Sequence, residues 1–110
     1  MRESMAKKAR TRTVRREAER ELGKLQSARE RLFQLELGGA PERPVLVQSA
    51  AVVEAHAESV LCPRCESKHE ISEHAAVTLR GVRLRELRLR CRQCGSRRSL
   101  WFRIGGAALN

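Results

Sequence analysis

Two residue types are missing from this chain, and aromatic residues are scarce. Aspartate and tyrosine do not occur among the 110 residues, and Phe33, Trp101 and Phe102 are the only aromatic residues. The absence of aspartate excludes many catalytic triads and magnesium sites. No glycine-rich phosphate loop precedes a helix, since Gly38-Gly39 is too short a run. We therefore expect neither an enzyme nor a small-molecule substrate.

Long apolar runs are also missing. The start, MRESMAKKARTRTVRRE, has no apolar core for a signal peptide, and no segment approaches the ~20 apolar residues that span a bilayer. An arginine-rich start is also typical of organelle transit peptides, but Glu17, Glu19 and Glu21 interrupt it. We expect a cytoplasmic protein with no transmembrane segment. In that compartment four cysteines are more often metal ligands or redox groups than disulfides.

Positive charge is in excess and unevenly distributed. The net charge is +10 at pH 7. Residues 1–40 contribute 11 basic and 6 acidic side chains (+5), residues 41–61 contribute 1 and 3 (−2), and residues 62–110 contribute 11 and 4 (+7). Such an excess is evidence about partners, which include nucleic acid, acidic proteins and anionic lipid, and not about fold.

Residues 1–37 form the first predicted unit, a basic amphipathic helix that is regular over residues 5–37. Its apolar residues recur at intervals of three and four, which places them on one stripe. Two interpretations stay open: a solvated helix that rests the stripe on its own domain, or a dimeric coiled coil with Glu21 as an imperfect seam residue. Gly38-Gly39 and Pro41 end the helix. The stripe comprises Val14, Ala18, Leu22, Leu25, Ala28, Leu32 and Leu35.

Residues 38–59 are predicted to hold a linker, a short strand at Val45–Val47 and a helix over residues 50–58, with Ser49 as its N-cap. From residue 60 the periodicity changes to two, which is typical of strands. Gly81 offers a turn, a phase slip at Glu86 predicts a β-bulge, and a last strand covers residues 100–104. Residues 105–110 are predicted to be a tail.

Two C-x-x-C pairs form the strongest motif in the sequence. Each pair suits a tight turn whose amides point at the sulfurs, and Gly95 supplies the conformational freedom that the second turn needs. Two such turns facing each other bring four thiolates into a tetrahedron around Zn²⁺. A domain with so few large apolar residues also needs such a staple. The predicted ligands are Cys62, Cys65, Cys91 and Cys94.

These pairs, with a β-hairpin around the second, resemble a zinc ribbon over residues 60–104. The resemblance rests on the four cysteines, Pro63 and Gly95, and it implies a three-stranded antiparallel sheet with a structural zinc ion. The sequence departs from that pattern at Glu66-Ser67, where a glycine is expected after the first pair. The predicted fold class is therefore α+β: a long N-terminal helix, a short helix and a C-terminal three-stranded antiparallel zinc ribbon.

The segment HEISEH, residues 69–74, is a near match to a metalloprotease helix. That motif needs histidines four residues apart on one helical face, whereas His69 and His74 are five apart. Four cysteines also fill a tetrahedral ion and leave no position for a catalytic water. We predict a structural site, with both histidines on the surface near the first cysteine turn.

The basic side chains suggest two hypotheses about function. In the first, the protein is a nucleic-acid-binding accessory protein whose arginine surface and basic N-terminal arm grip phosphates. In the second, it is an interaction adaptor, which pairs through the N-terminal helix as a homodimer or with a partner and presents arginines to an acidic protein. Solvated arginines are the simplest alternative. Trp101 is predicted to be core, with base stacking as its alternative. The candidate nucleic-acid-binding residues are Lys7, Lys8, Arg10, Arg12, Arg15, Arg16, Arg83, Arg85, Arg88, Arg90, Arg97 and Arg98, and with Arg92 the last six are expected to form one contiguous surface.

Overall fold

A computed structural model describes residues 2–105, with side chains from residue 10 onward. Residues 106–110, which belong to the predicted tail, lie outside this described part. The side chains of Lys7 and Lys8 also lie outside it. Two helices and four strands follow one another along the chain. They are α1 (Arg2–Leu35), β1 (Val45–Val47), α2 (Ala50–Ser59), β2 (His69–Leu79), β3 (Val82–Cys91) and β4 (Arg97–Ile104).

The four strands form one mixed sheet in the order β1-β4-β3-β2. The last three strands are antiparallel neighbours, as predicted, but the expectation that they form the whole sheet is wrong. Strand β1 pairs parallel with β4, with Val45 opposite Phe102 and Val47 opposite Ile104. This pairing extends the apolar side of the sheet by two valines, which explains why a three-residue strand joins it.

The β2–β3 hairpin has a two-residue turn, Arg80-Gly81, between the paired residues Leu79 and Val82. Both turn residues have positive φ, 50° and 79°, as a tight hairpin turn of this type requires. The predicted turn at Gly81 is therefore confirmed.

The predicted β-bulge at Glu86 is wrong. Strand β3 runs through Glu86 in unbroken register, and the irregularity lies in β2, between Ile71 and Glu73. The phase slip in the sequence has another cause: Leu84 and Leu87 are both buried but lie on opposite faces of a regular strand. The sheet therefore buries apolar side chains on both faces.

One face of the sheet, which we call the helix face, holds most of the core. Leu87, Leu89, Leu100 and Phe102 are at most 2% exposed there, and Val53 and Ala57 of α2 pack against them. Ser49 occupies the predicted N-cap position of α2, although its side chain makes no capping hydrogen bond. The other face, which we call the open face, carries Leu84, Arg88, Ser99 and Trp101 in the pairing register.

Helix α1 contacts the sheet through its C-terminal turns, where Phe33 packs against the core. Its apolar stripe is otherwise uncovered: Val14, Leu25 and Leu32 are 63%, 47% and 57% exposed. The interpretation in which the helix rests this stripe on its own domain is therefore wrong. The chain then turns back at Gly38-Gly39. This turn requires glycine at position 39, because a Cβ there would clash with the Phe33 carbonyl oxygen. The Trp101 N–H donates to the Gly38 carbonyl at 2.8 Å, which fixes this turn against β4.

Candidate metal centre and the basic surfaces around it

Four cysteine sulfurs converge where the two C-x-x-C turns meet. All four Sγ atoms lie within 4.8 Å of one another, and each cysteine is a free thiol. The Sγ atoms of Cys62 and Cys94 are 3.8 Å apart, and those of Cys65 and Cys91 are 3.3 Å apart. A tetrahedral zinc ion with Zn–S bonds of about 2.3 Å needs edges of about 3.8 Å between sulfurs. The predicted cluster is confirmed, and its donor set fits a metal ion held by four thiolates.

The two cysteine turns have the same backbone geometry. In the first, the Glu66 N–H donates to the Cys62 carbonyl at 2.8 Å, and in the second the Gly95 N–H donates to the Cys91 carbonyl at 3.1 Å. Glu66 and Gly95 both adopt positive φ, 63° and 73°. A residue with a Cβ is strained in that region by about 1–2 kcal/mol. The first turn thus keeps the zinc-ribbon geometry without the expected glycine, and Glu66 carries the strain.

Hydrogen bonds favour the thiolate form of two of the cysteines. Burial acts to raise the pKa of Cys62, but hydrogen bonds from the Ser96 hydroxyl and two backbone N–H groups outweigh it and lower the pKa to about 6. Hydrogen bonds from the side chain and backbone of Ser67 lower the pKa of Cys65. Burial instead raises the pKa of Cys91. A thiolate is the form that binds a metal, so these hydrogen bonds favour the form of Cys62 and Cys65 that coordination requires.

A hydrogen-bonded chain connects the sulfurs to α1. The Ser96 hydroxyl lies 3.0 Å from Cys94 Sγ and accepts a 2.8 Å hydrogen bond from Arg98 Nη2. The Arg98 guanidinium also grips the Glu30 carboxylate with two bonds, of 2.7 and 3.1 Å. Its side chain is 4% exposed, and hydrogen bonds and charge from Glu30 raise the pKa of Arg98 against the opposing effect of burial. Arg98 therefore joins the metal centre to the helix.

Arg98 was predicted to lie on an exposed nucleic-acid-binding surface, but its side chain is buried in the ion pair with Glu30. The predicted surface position of His69 is also wrong. His69 is 5% exposed, its Nδ1 lies 3.0 Å from the Val60 carbonyl oxygen, and its Nε2 contacts the Arg98 guanidinium. Within residues 2–105 the four cysteines are the one group of at least three such side chains close enough to hold an ion. His69 thus supports Arg98 and lies outside the ligand cluster.

His74, the second histidine that was predicted to lie on the surface, is half-buried. Its Nδ1 lies 3.9 Å from a Glu54 carboxylate oxygen of α2, and its Nε2 is buried without a hydrogen-bond partner among the described residues. Residues 69–74 belong to strand β2. The bulge between Ile71 and Glu73 places His74 opposite Leu87 on the helix face, toward α2.

The ribbon arginines do not form one contiguous surface. Arg85 is opposite Phe102 on the helix face, and Arg83 lies on that face two residues away. Arg88 and Arg90 lie on the open face. The expectation of one arginine surface is therefore wrong. The buried residues Leu84 and Leu87 are three positions apart and lie on opposite faces, so the arginines that alternate with them also lie on opposite faces. Of the arginines predicted to bind nucleic acid, Arg88, Arg90 and Arg97 lie on the open face, and Arg88 is paired with Glu73 at 3.0 Å and with Glu86 at 3.7 Å.

The α1 arginines predicted to bind nucleic acid lie on an exposed part of the helix. Arg10, Arg12, Arg15 and Arg16 are all exposed. No ion pair joins them to an acidic side chain in the part of the chain whose side chains are described. Trp101, which was predicted to be core, is half-buried on the open face, while Phe102 fills the core beneath α2.

Glu30, Ser96 and the buried role of Arg98 were not predicted from the sequence. One local signal pointed to Ser96, which follows directly after the second cysteine turn. A weaker one pointed to the end of α1, where Phe33 is the only aromatic residue of the helix. Strand alternation separates Arg98 from its exposed neighbour Arg97, because Arg98 lies in phase with the buried Leu100 and Phe102. The last strand was predicted to begin only at residue 100, so this signal was not used.

Comparison with protein-family models, with curated proteins and with solved structures finds no match to this chain. Neither α1 nor α2 is long and apolar enough to cross a membrane.

Proposed function

We propose that this protein binds nucleic acid through the exposed basic half of α1, and that its ribbon is stabilised by a purely structural zinc ion. One observation carries the proposal: Arg12, Arg15 and Arg16 are exposed, and no acidic side chain pairs with them among the described residues. Uncompensated guanidinium groups on a helix that its own domain does not cover are suited to bind phosphates.

The spacing of these arginines supports contacts with several phosphates at once. At a rise of about 1.5 Å per residue, Arg12 and Arg16 are about 6 Å apart along the helix axis. Double-stranded DNA carries about one phosphate per 1.7 Å of its axis, so three or four phosphates lie within that distance. Such contacts read no sequence, and we propose binding that depends mainly on charge.

The zinc ion would be held by Cys62, Cys65, Cys91 and Cys94. It would supply stability, since four thiolates complete a tetrahedral ion and leave no position for a reacting water. The binding energy of the thiolates then becomes folding energy of the ribbon. We propose no catalytic role for the site. We also propose that the protein is cytoplasmic, where its thiols stay reduced.

A salt titration tests the nucleic-acid proposal. The metal-loaded protein is titrated against a labelled random-sequence duplex at several salt concentrations, and binding is followed by anisotropy. Replacing Arg12, Arg15 and Arg16 with glutamine should reduce the slope of log affinity against log salt by about 2.7, since each lost phosphate contact contributes about 0.9. The matched control removes the same charge at Lys24, Arg29 and Arg103, which are also exposed.

The control variant should keep most of the slope. Equal losses in both variants would mean that net charge alone matters and that α1 has no binding face. Absence of binding to duplex DNA, single-stranded DNA and RNA at low salt would end the nucleic-acid proposal.

A second candidate function is protein interaction through α1. The observation that favours it is the uncovered apolar stripe, in which Leu22, Leu32 and Leu35 are 54%, 57% and 66% exposed. Leucines at this spacing are suited to a second copy of the helix or to a partner helix. An acidic partner protein would compete with nucleic acid for the same arginines. Sedimentation of the full chain separates the homodimer from the monomer, and loss of residues 1–37 should abolish either association.

A further inference from the structure

A basic pocket lies between the end of α1, the segment 39–43 and strand β4. Its volume is about 650 Å³. It exists because β1 covers only the Phe102–Ile104 part of the edge of β4, so residues 97–101 have no strand beside them on that side. Its lining includes Arg31, Gln34, Arg43, Arg97, Ser99 and Trp101.

Positive charge in this pocket exceeds negative charge. Glu30 is the one acidic residue among the described residues that line it, and Arg98 neutralises Glu30 through the two-bond ion pair. Arg31, Arg43 and Arg97 have no ion-pair partner among the side chains that the structure describes. Arg43 is held in place, because its Nη2 donates to the Gln34 carbonyl oxygen at 2.7 Å. Three guanidinium groups around one cavity are suited to an anionic ligand such as a phosphate.

Trp101 gives the same pocket an aromatic wall. Its side chain is half-buried on the open face, while the neighbouring Phe102 fills the core. The backbone N–H of Trp101 donates to the Gly38 carbonyl at the free edge of β4. Strand alternation points the Ser99 N–H toward that edge as well, which adds a backbone donor. An aromatic face beside cations is the arrangement that binds unpaired bases.

We propose that this pocket, the Trp101 pocket, binds one unpaired nucleotide of a single-stranded nucleic acid. The base stacks on Trp101, and the adjoining phosphate lies against Arg31 and Arg97. This inference rests on the nucleic-acid binding proposed above and deepens it, since it predicts that single strands bind better than duplexes. A base within a duplex is already stacked on both sides and cannot enter the pocket.

The chain provides its own probe for this proposal. Trp101 is the only tryptophan and tyrosine is absent, so tryptophan emission reports on this pocket alone. The metal-loaded full chain is titrated with a labelled single-stranded oligothymidylate and with a duplex of the same length. Tryptophan emission and label anisotropy are recorded on the same samples. Quenching by the single strand that saturates together with the anisotropy is expected, and the duplex should bind without quenching.

The failures of the two proposals are distinguishable. If the single strand binds by anisotropy and leaves tryptophan emission unchanged, the pocket proposal is overturned while nucleic-acid binding stands. If neither nucleic acid binds, both proposals fail. Equal quenching by polyglutamate would also overturn the pocket proposal, because the pocket would then select charge and not a base.

Variants locate the effect in the pocket. Trp101→Leu should weaken single-strand binding about 5- to 150-fold, the loss caused by removing one stacked base, whereas Trp101→Phe should keep most of the affinity. Arg31→Glu keeps the proposal testable if Trp101→Leu does not fold, since Arg31 is exposed on α1. It should weaken single-strand binding about tenfold more than the matched reversal Arg29→Glu, which lies outside the pocket lining. Equal effects of the two reversals would overturn the assignment.

Discussion

The Arg98–Glu30 ion pair is the contact whose removal is expected to have the best-defined effect on the free energy of unfolding. It joins β4 to α1 across 68 residues of sequence, and the two side chains are 4% and 20% exposed. Removing one member of a fully buried pair costs about 3–5 kcal/mol. The two members of this pair are not equivalent, however, because their other contacts differ.

Arg98 has three further partners. It donates to Ser96, contacts His69, and lies 5.8 Å from the centre of the Phe33 ring. Arg98→Met therefore leaves several buried polar groups without a partner, and we expect it to lower the free energy of unfolding by about 3 kcal/mol. Glu30 has no hydrogen-bond or ion-pair partner among the described side chains except Arg98, and Glu30→Gln keeps one acceptor oxygen. We expect that variant to cost about 1–2 kcal/mol.

The assay is urea denaturation of the metal-loaded protein, followed by the emission of Trp101. The double variant should be about as stable as Arg98→Met alone, because Glu30 has nothing left to bind once the guanidinium is gone. This amounts to a coupling energy of about 1–2 kcal/mol between the two sites. Arg97→Met is the matched control: Arg97 is exposed, and its loss should change stability by less than about 0.5 kcal/mol. Strictly additive losses at Arg98 and Glu30, or equal effects at Arg97 and Arg98, would show that the two side chains do not stabilise the fold as a buried pair.

Three further predictions concern the metal, the cysteine turns and α1. Chelation of the metal, or Cys91→Ser, should unfold residues 60–104, and a far-UV spectrum and melt that match the wild type would contradict this. Gly95→Ala should lower the free energy of unfolding by about 1–2 kcal/mol, whereas Glu66→Gly should raise it by up to about 1 kcal/mol, because only the first change puts a Cβ at positive φ; urea midpoints that move the same way in both variants would exclude this explanation. If α1 dimerises, Leu25→Lys should convert a dimer to a monomer in sedimentation velocity, and a monomeric wild type would remove the homodimer from consideration.

The metal cluster was predictable from the sequence because its chemistry is local. A C-x-x-C pair needs only four residues to form its turn, and cysteine is the one residue type that offers a thiolate. The same holds for the Arg80-Gly81 turn and for the turn at Gly38-Gly39 that follows α1. In each case the turn needs a particular backbone conformation, and the residue that allows this conformation lies within the turn itself.

The rest of the site was not predictable, because it depends on contacts between distant segments. Arg97 and Arg98 are chemically identical. Strand alternation places Arg98 on the face of Leu100 and Phe102, but the ion pair that buries it depends on the position of Glu30 in α1. Strand β1 could be recognised as a strand, but its parallel partner residues in β4 lie 57 residues later in the chain. The bulge was assigned to the wrong strand because a shift in hydrophobic phase arises equally from an extra residue and from burial on both faces.

The metal centre and the Trp101 pocket are parts of one arrangement. Ser96 connects the sulfurs to Arg98, and Arg98 holds Glu30, which lines the pocket on α1. If the cysteine turns open, Ser96 and Arg98 lose their positions, and the last turns of α1 lose their main polar attachment to β4. The pocket then loses one wall, and Glu30 becomes an unneutralised carboxylate beside the proposed phosphate position. Metal binding at a site with no contact to the ligand is therefore expected to support nucleotide binding, both by fixing the helix and by keeping the pocket cationic.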